Sequence, residues 1–90
     1  QQNQLLRESR EALANAQFYM TWLLRLEGKA REEWEPQIEA ARQNFRLLAE
    51  NATQRGDAKQ QKRSSEDLES AVKLARMEIQ DLQGLPLPSQ

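Results

Sequence analysis

The chain contains no cysteine and no histidine. The first absence excludes disulfides, thiolate nucleophiles and cysteine-based metal sites. The second removes the commonest general base and the commonest transition-metal ligand. Charge of one sign is also missing. Thirteen bases and fourteen acids give a net charge of −1. They are interleaved, so residues 1–30, 31–57 and 58–90 sum to +1, −2 and 0. No segment offers the one-sided basic field that nucleic acid or an anionic lipid surface requires. No apolar run approaches the eighteen or so residues of a membrane span. The residues given show no signal-peptide pattern, no repeat at 20–50 residues, and no Gly-rich phosphate loop, nucleophile elbow or metal-ligand spacing. These absences predict a protein that is not an enzyme, with no cofactor and no metal.

What is there is a short chain with helical periodicity. Ninety residues make at most one domain, and a chain this size buries only about 60–65% of the surface its unfolded form exposes. The most apolar stretch is Phe18–Leu26, FYMTWLLRL, interrupted only by Thr21 and Arg25. It lies in a first predicted helix over 5–27. There Leu6, Leu13 and Met20 recur every seven positions, with Ala16 and Leu23 in the interleaved slots and Ser9 as a polar gap. Leu5, Ala12, Tyr19 and Leu26 widen that face. This spacing predicts a broad stripe packed in a bundle. Thr21 is the only β-branched residue in the segment, so local propensity agrees. Phe18, Trp22 and Leu24 point away from the stripe. Gly28 is placed to stop the helix, with Arg25 and Lys29 near the negative end of its dipole.

Acids at Glu32, Glu33 and Glu35 followed by Pro36 signal a second helix, predicted over 34–55. Its stripe is Trp34, Ile38, Ala41, Phe45, Leu48 and Ala52, stepping by four and three, and Arg55-Gly56 ends it. Ser64 and Asp67 offer a capping box for a third helix over 64–83, with a stripe of Leu68, Val72, Ala75, Ile79 and Leu82. A start at Asp57 is less favourable, because Lys59, Lys62 and Arg63 would oppose the dipole in a first turn. Gly84 closes this helix, with Leu85 available for a Schellman contact and Pro86 as the stop.

Three amphipathic helices joined by short turns predict an all-α fold, an up-down-up antiparallel three-helix bundle. The domain covers 1–84, and 85–90 reads as a Pro-containing linker or tail. The opening Gln1-Gln2-Asn3 and this tail predict a piece of a larger protein. The bundle expected from this trace is lopsided. One pole collects Phe18–Leu26, Trp34, Ile38, Ile79, Leu82, Leu85 and Leu87.

That pole is the candidate functional surface. One core can bury one stripe per helix, and Phe18, Trp22 and Leu24 exceed that quota. Exposed aromatics anchor interfaces or promote aggregation. The candidate interface is therefore Phe18, Tyr19, Trp22, Leu24 and Trp34, packing on a protein partner: a second copy or another domain of the parent chain. The expectation is a non-catalytic interaction or structural module, with no nucleic acid partner and no membrane insertion. The alternative is a helical sensor domain of a bacterial envelope protein that holds a small apolar ligand near the same pole. The plan loosely resembles spectrin-like bundles and helical sensor or stalk modules of the bacterial envelope, although no motif carries the likeness. The compartment stays open between bacterial periplasm or envelope and cytoplasm.

Other features have simpler explanations. Glu32, Glu33, Glu35 and Glu39 suit a solvated helix N-terminus better than a carboxylate pair, which needs a cleft. Arg55-Gly56-Asp57 matches an adhesion tripeptide, but a terminating Gly and a capping Asp account for it. Asn51-Ala52-Thr53 has the form of a glycosylation acceptor, with Ala52 on the apolar stripe. Lys59, Lys62 and Arg63 form a basic cluster without the aromatics that stack on single-stranded nucleic acid.

Overall fold

A computed structural model of the chain describes residues 2–87. Gln1 and the tail residues Pro88, Ser89 and Gln90 lie outside the described residues. Three long helices, α1 (Gln2–Leu26), α2 (Arg31–Arg55) and α3 (Ala58–Arg76), are followed by the short α4 (Ile79–Gln83), with no strand among the described residues. They form the up-down-up antiparallel bundle, 40 × 20 × 19 Å along its principal axes. The long axis matches a 25-residue helix at about 1.5 Å per residue.

The turns follow the chemistry of their glycines. Gly28 and Gly56 have φ of 76° and 74°, a left-handed conformation that costs glycine little. Each ends its helix with paired Schellman bonds. Gly28 and Lys29 N–H donate to the carbonyls of Arg25 and Leu24; Gly56 and Asp57 N–H donate to those of Thr53 and Ala52. Asp57 then caps α3, its carboxylate accepting from the Gln60 N–H at 3.0 Å. The α2–α3 connection is therefore two residues long.

α2 is the central element. Trp34, Ile38, Ala41, Phe45, Leu48 and Ala52 are all buried, the whole stripe expected from spacing. Both α1 and α3 pack on it along their lengths, whereas α1 and α3 approach each other sparsely. α4 packs back on α1 and buries Leu82 completely.

Four boundary and capping expectations are corrected. α2 starts at Arg31 rather than 34, with Pro36 inside it. Acids Glu32 and Glu33 in the first turn favour the dipole, and Arg31 bridges to Glu35 at 2.8 Å. These gains sit beside the loss of one helical hydrogen bond at the proline. α3 starts at Ala58 rather than 64. The Asp57 cap outweighs the unfavourable placement of Lys59, Lys62 and Arg63. Ser64 is buried within the helix and accepts from Gln60 Nε2 instead of capping.

The third correction is a break at Met77–Glu78, where both residues are extended. It resets the helical phase. Ile79 is exposed and Leu82 enters the core, while Ala71 and Leu74 replace Leu68, Val72 and Ala75 as the fully buried positions of α3. The fourth is Gly84, which is right-handed at φ −86°. No Schellman closure forms there, and Leu85 N–H donates to the Leu82 carbonyl.

Candidate functional site

The expected aromatic-rich surface is built from α1 and the start of α2, and the bundle uses much of it internally. Trp34 is only 4% exposed and Trp22 9%. Phe18 and Leu24 are half-buried and pack against the core, and Tyr19 is half-buried. Of the five candidate interface residues, Trp22 and Trp34 are thus taken up by the chain's own core, whereas Phe18, Tyr19 and Leu24 keep part of their surface exposed. The face of α1 directed at α2 and α3 holds Ala14, Phe18, Thr21, Trp22 and Arg25. The bundle is open between α1 and α3, which leaves room for the larger rings.

Arg25 explains how this face tolerates a charge. Because α3 stops at Arg76, the Leu74 carbonyl has no N–H of Glu78 to accept from in a continuing helix. Arg25 Nη1 donates to that carbonyl at 2.8 Å. The same guanidinium lies 4.5 Å from the Trp34 ring centroid, and Arg31 lies 5.0 Å from it. Trp34 thus has two cation–π partners within its own chain. Burial first, and the neighbouring Arg31 charge second, lower the pKa of Arg25 from its ordinary value, with Glu78 opposing. Thr21, fully buried, donates from Oγ1 to the Gln17 carbonyl at 2.8 Å.

One polar atom in this region is left unmatched. Trp22 Nε1 is buried without a hydrogen-bond partner among the described residues. Beside the ring runs a cleft of about 350 Å³ between α1, α3 and the C-terminal segment, lined by Phe18, Trp22, Ser70, Lys73, Leu74, Met77 and Leu85.

The largest unspent apolar surface lies on the other side of α1. Leu6 is 66% exposed, Leu13 51% and Met20 45%; Leu5 is exposed as well. These are the residues whose seven-residue spacing predicted burial. Ser9, Ala12 and Ala16 between them are also exposed, and Leu23 is half-buried. At 100° per residue, the charged residues of this stretch, Arg7, Glu8, Arg10, Glu11 and Arg25, all fall outside the stripe. Arg10 and Gln17 turn along the helix flank towards α2, where both bond Asn44. At its N-terminal end the stripe borders a groove of about 520 Å³ between α1 and α2, lined by Leu6 and exposed Leu47 but also by the charged Arg7, Arg10, Glu50 and Arg55. α1 is thus two-sided: one stripe packs inward, and a second, uncharged stripe faces water.

The remaining sequence features resolve locally. Glu32, Glu33, Glu35 and Glu39 are all exposed. Glu35 pairs with Arg31, and Glu39 with Arg42. In the Arg55-Gly56-Asp57 turn, Arg55 Nη1 bonds Asp57 Oδ2 at 3.2 Å. Asp57 is held below the usual carboxylate range chiefly by the Gln60 N–H. Within Asn51-Ala52-Thr53, Ala52 is fully buried and Asn51 Oδ1 accepts from Arg55. Of the basic cluster, Arg63 reaches across to Glu11 of α1 at 3.2 Å. Burial first, then the Glu11 charge, push the nearby Asp67 carboxyl up, with Arg63 opposing and Glu66 adding. No described helix is long and apolar enough to cross a membrane.

Comparison of the chain with protein-family models, with curated proteins and with solved structures finds no match in any of the three.

Proposed function

We propose that the chain is a non-catalytic helical module that works by helix-to-helix contact, and that its contact face is the outward stripe of α1. The observation that supports this most is the exposure of Leu6, Leu13 and Met20 in register on a helix whose other face is already packed. Isolated exposed leucines are ordinary. A contiguous, uncharged row at seven-residue spacing is the seam that a second helix fits. The two tryptophans support the core and are not the anchors of this contact. The partner is a protein, either another copy or another segment of a parent chain.

The test is the variant Leu13→Glu/Met20→Glu. Both positions are exposed, so helix content stays at the wild-type level. Wild-type protein is expected to self-associate or to bind a synthetic amphipathic helix with an apolar seam, read by sedimentation. The variant is expected to do neither. If wild type shows neither association, the outward stripe is not a contact face.

A second reading is a small-ligand module. The unpartnered Trp22 indole N–H beside the mainly apolar cleft, where Phe18, Leu74, Met77 and Leu85 stand with Ser70 and Lys73, favours it. An apolar ligand there would bridge α1 and α3.

A further inference from the structure

We infer that the occupant of the α1 seam is α1 of a second copy, docked antiparallel. This rests on the contact face proposed above. The seam positions, stepping by three and four, are Leu6, Ser9, Leu13, Ala16, Met20 and Leu23. Their sizes alternate in a pattern that distinguishes the two possible orientations. In a parallel pair each residue meets its own copy, so Ser9 faces Ser9 and Ala16 faces Ala16, leaving voids, while Met20 crowds Met20. Reversing one helix so that paired numbers sum to 29 mates both small positions with large ones and leaves the end leucines facing each other. Leu13 then covers Ala16, Met20 covers Ser9, and Leu6 meets Leu23. Each small residue receives a large one, as close packing requires. The arrangement is two-fold symmetric, so the one stripe supplies both sides of the interface.

Charge and area agree with this occupant. No charged residue lies on the seam between Leu6 and Leu23; the next position of the seven-residue row is Glu27, at the C-terminal end of α1. Arg10, the only charge on the flank beside it, falls opposite Gln17 of the reversed copy and away from the partner's Arg10. That flank therefore meets no like charge. Leu5, Leu6, Leu13 and Met20 together expose about 400 Å² of side chain, on the order of half the roughly 800 Å² per partner of a standard specific interface. Exposed Ser9, Ala12 and Ala16 and half-buried Tyr19 supply further area on the same side of α1. On the remaining face of α1, Phe18 and Trp22 stay packed against α2 and α3, so each copy keeps its own core.

The absence of native cysteine makes cross-linking a clean readout. Ser9→Cys and Met20→Cys place one thiol each on exposed seam positions, and circular dichroism confirms that both variants keep wild-type helix content. Mixed in equal amounts and mildly oxidised, the antiparallel pair joins residue 9 of one copy to residue 20 of the other. In that pair two copies of residue 9 lie about 16 Å apart along the axis. That is beyond the roughly 7 Å Cα separation a disulfide spans, so the mixed dimer should outnumber either homodimer by about an order of magnitude. Homodimers formed by each variant alone would mean a parallel pair and overturn the orientation. A statistical mixture, or no cross-link, would overturn the second copy as occupant. If the chain binds the synthetic helix yet fails to cross-link, the contact face stands and only the occupant is wrong. Failure of both experiments would sink the contact face as well.

Discussion

Truncating Trp22 and charging Leu13 should have opposite consequences if α1 is two-sided as described. Trp22 is nine-tenths buried, within a cluster that includes Ala14, Trp34, Leu74 and Leu82. Removing a buried ring of this size costs about 3–5 kcal/mol in lost burial and residual cavity. A 90-residue domain has roughly 5–13 kcal/mol in all. Trp22→Ala should therefore lower Tm by at least about 12 °C, at roughly 4–8 °C per kcal/mol. Trp22→Phe keeps most of the ring and removes the unmatched indole N–H, whose burial costs about 1–3 kcal/mol. Its loss should be much smaller than that of the alanine variant. Leu13→Glu, at a half-exposed position, should change monomer stability by no more than about 0.5 kcal/mol. Urea unfolding of the three variants at low micromolar concentration, followed by far-ultraviolet circular dichroism, separates these cases, because dilution removes the contribution of association. If Trp22→Ala and Leu13→Glu cost the same, or if leucine at 13 matters more to the monomer than tryptophan at 22, the assignment of the two faces is wrong.

Two further outcomes follow from the α1–α3 side of the bundle. The Asp67 carboxyl has a raised pKa in the folded chain, from burial and from Glu11, with Arg63 opposing. The folded form then binds its proton more tightly than the unfolded form, so this group's contribution to stability falls as pH rises from the ordinary carboxylate value through the raised one. Asp67→Asn should raise Tm at neutral pH, and the gain should vanish below the carboxylate range; equal gains at pH 3 and pH 7 would contradict this. If the cleft beside Trp22 takes a small apolar ligand, a panel of medium-chain acids and indole derivatives should include one that shifts Trp emission. At tenfold excess over Kd it should raise Tm by about 5–10 °C, and a panel with no shift removes that reading.

The sequence specified some parts of this molecule closely and misled on others, for reasons that differ by helix. The buried stripe of α2 was fully legible, although its start was not: every position from Trp34 to Ala52 on the stripe is buried, because both α1 and α3 pack on it. Gly28 and Gly56 were legible as terminators because a left-handed residue after a helix is a local requirement. α3 began earlier than expected because one side-chain bond from Asp57 outweighed three unfavourable charges. The break at Met77–Glu78 has no Gly or Pro to announce it. It is visible only through tertiary structure, where the freed Leu74 carbonyl meets Arg25 and Leu82 closes the core.

α1 was legible as a helix and misleading as to face. Its more regular stripe, Leu6–Leu13–Met20, is exposed, and the stripe that enters the core includes Thr21 and Arg25. Periodicity establishes that a row of residues shares a side; it does not say which of two apolar sides meets the rest of the same chain. The hydrogen bonds of Thr21 to Gln17 and of Arg25 to Leu74 make the less apolar side compatible with burial. The surplus of apolar side chain anticipated in α1 is present, on the opposite face and shifted towards its N-terminal half.

The most direct test of the outward stripe as the working face is sedimentation velocity of wild type and Leu13→Glu/Met20→Glu over the same concentration series, with and without the synthetic helix. Wild type should gain mass as concentration rises or on adding the peptide, while the variant keeps the monomer's coefficient and wild-type helix content. A wild-type chain that stays a single unliganded monomer throughout, indistinguishable from the variant, would contradict it.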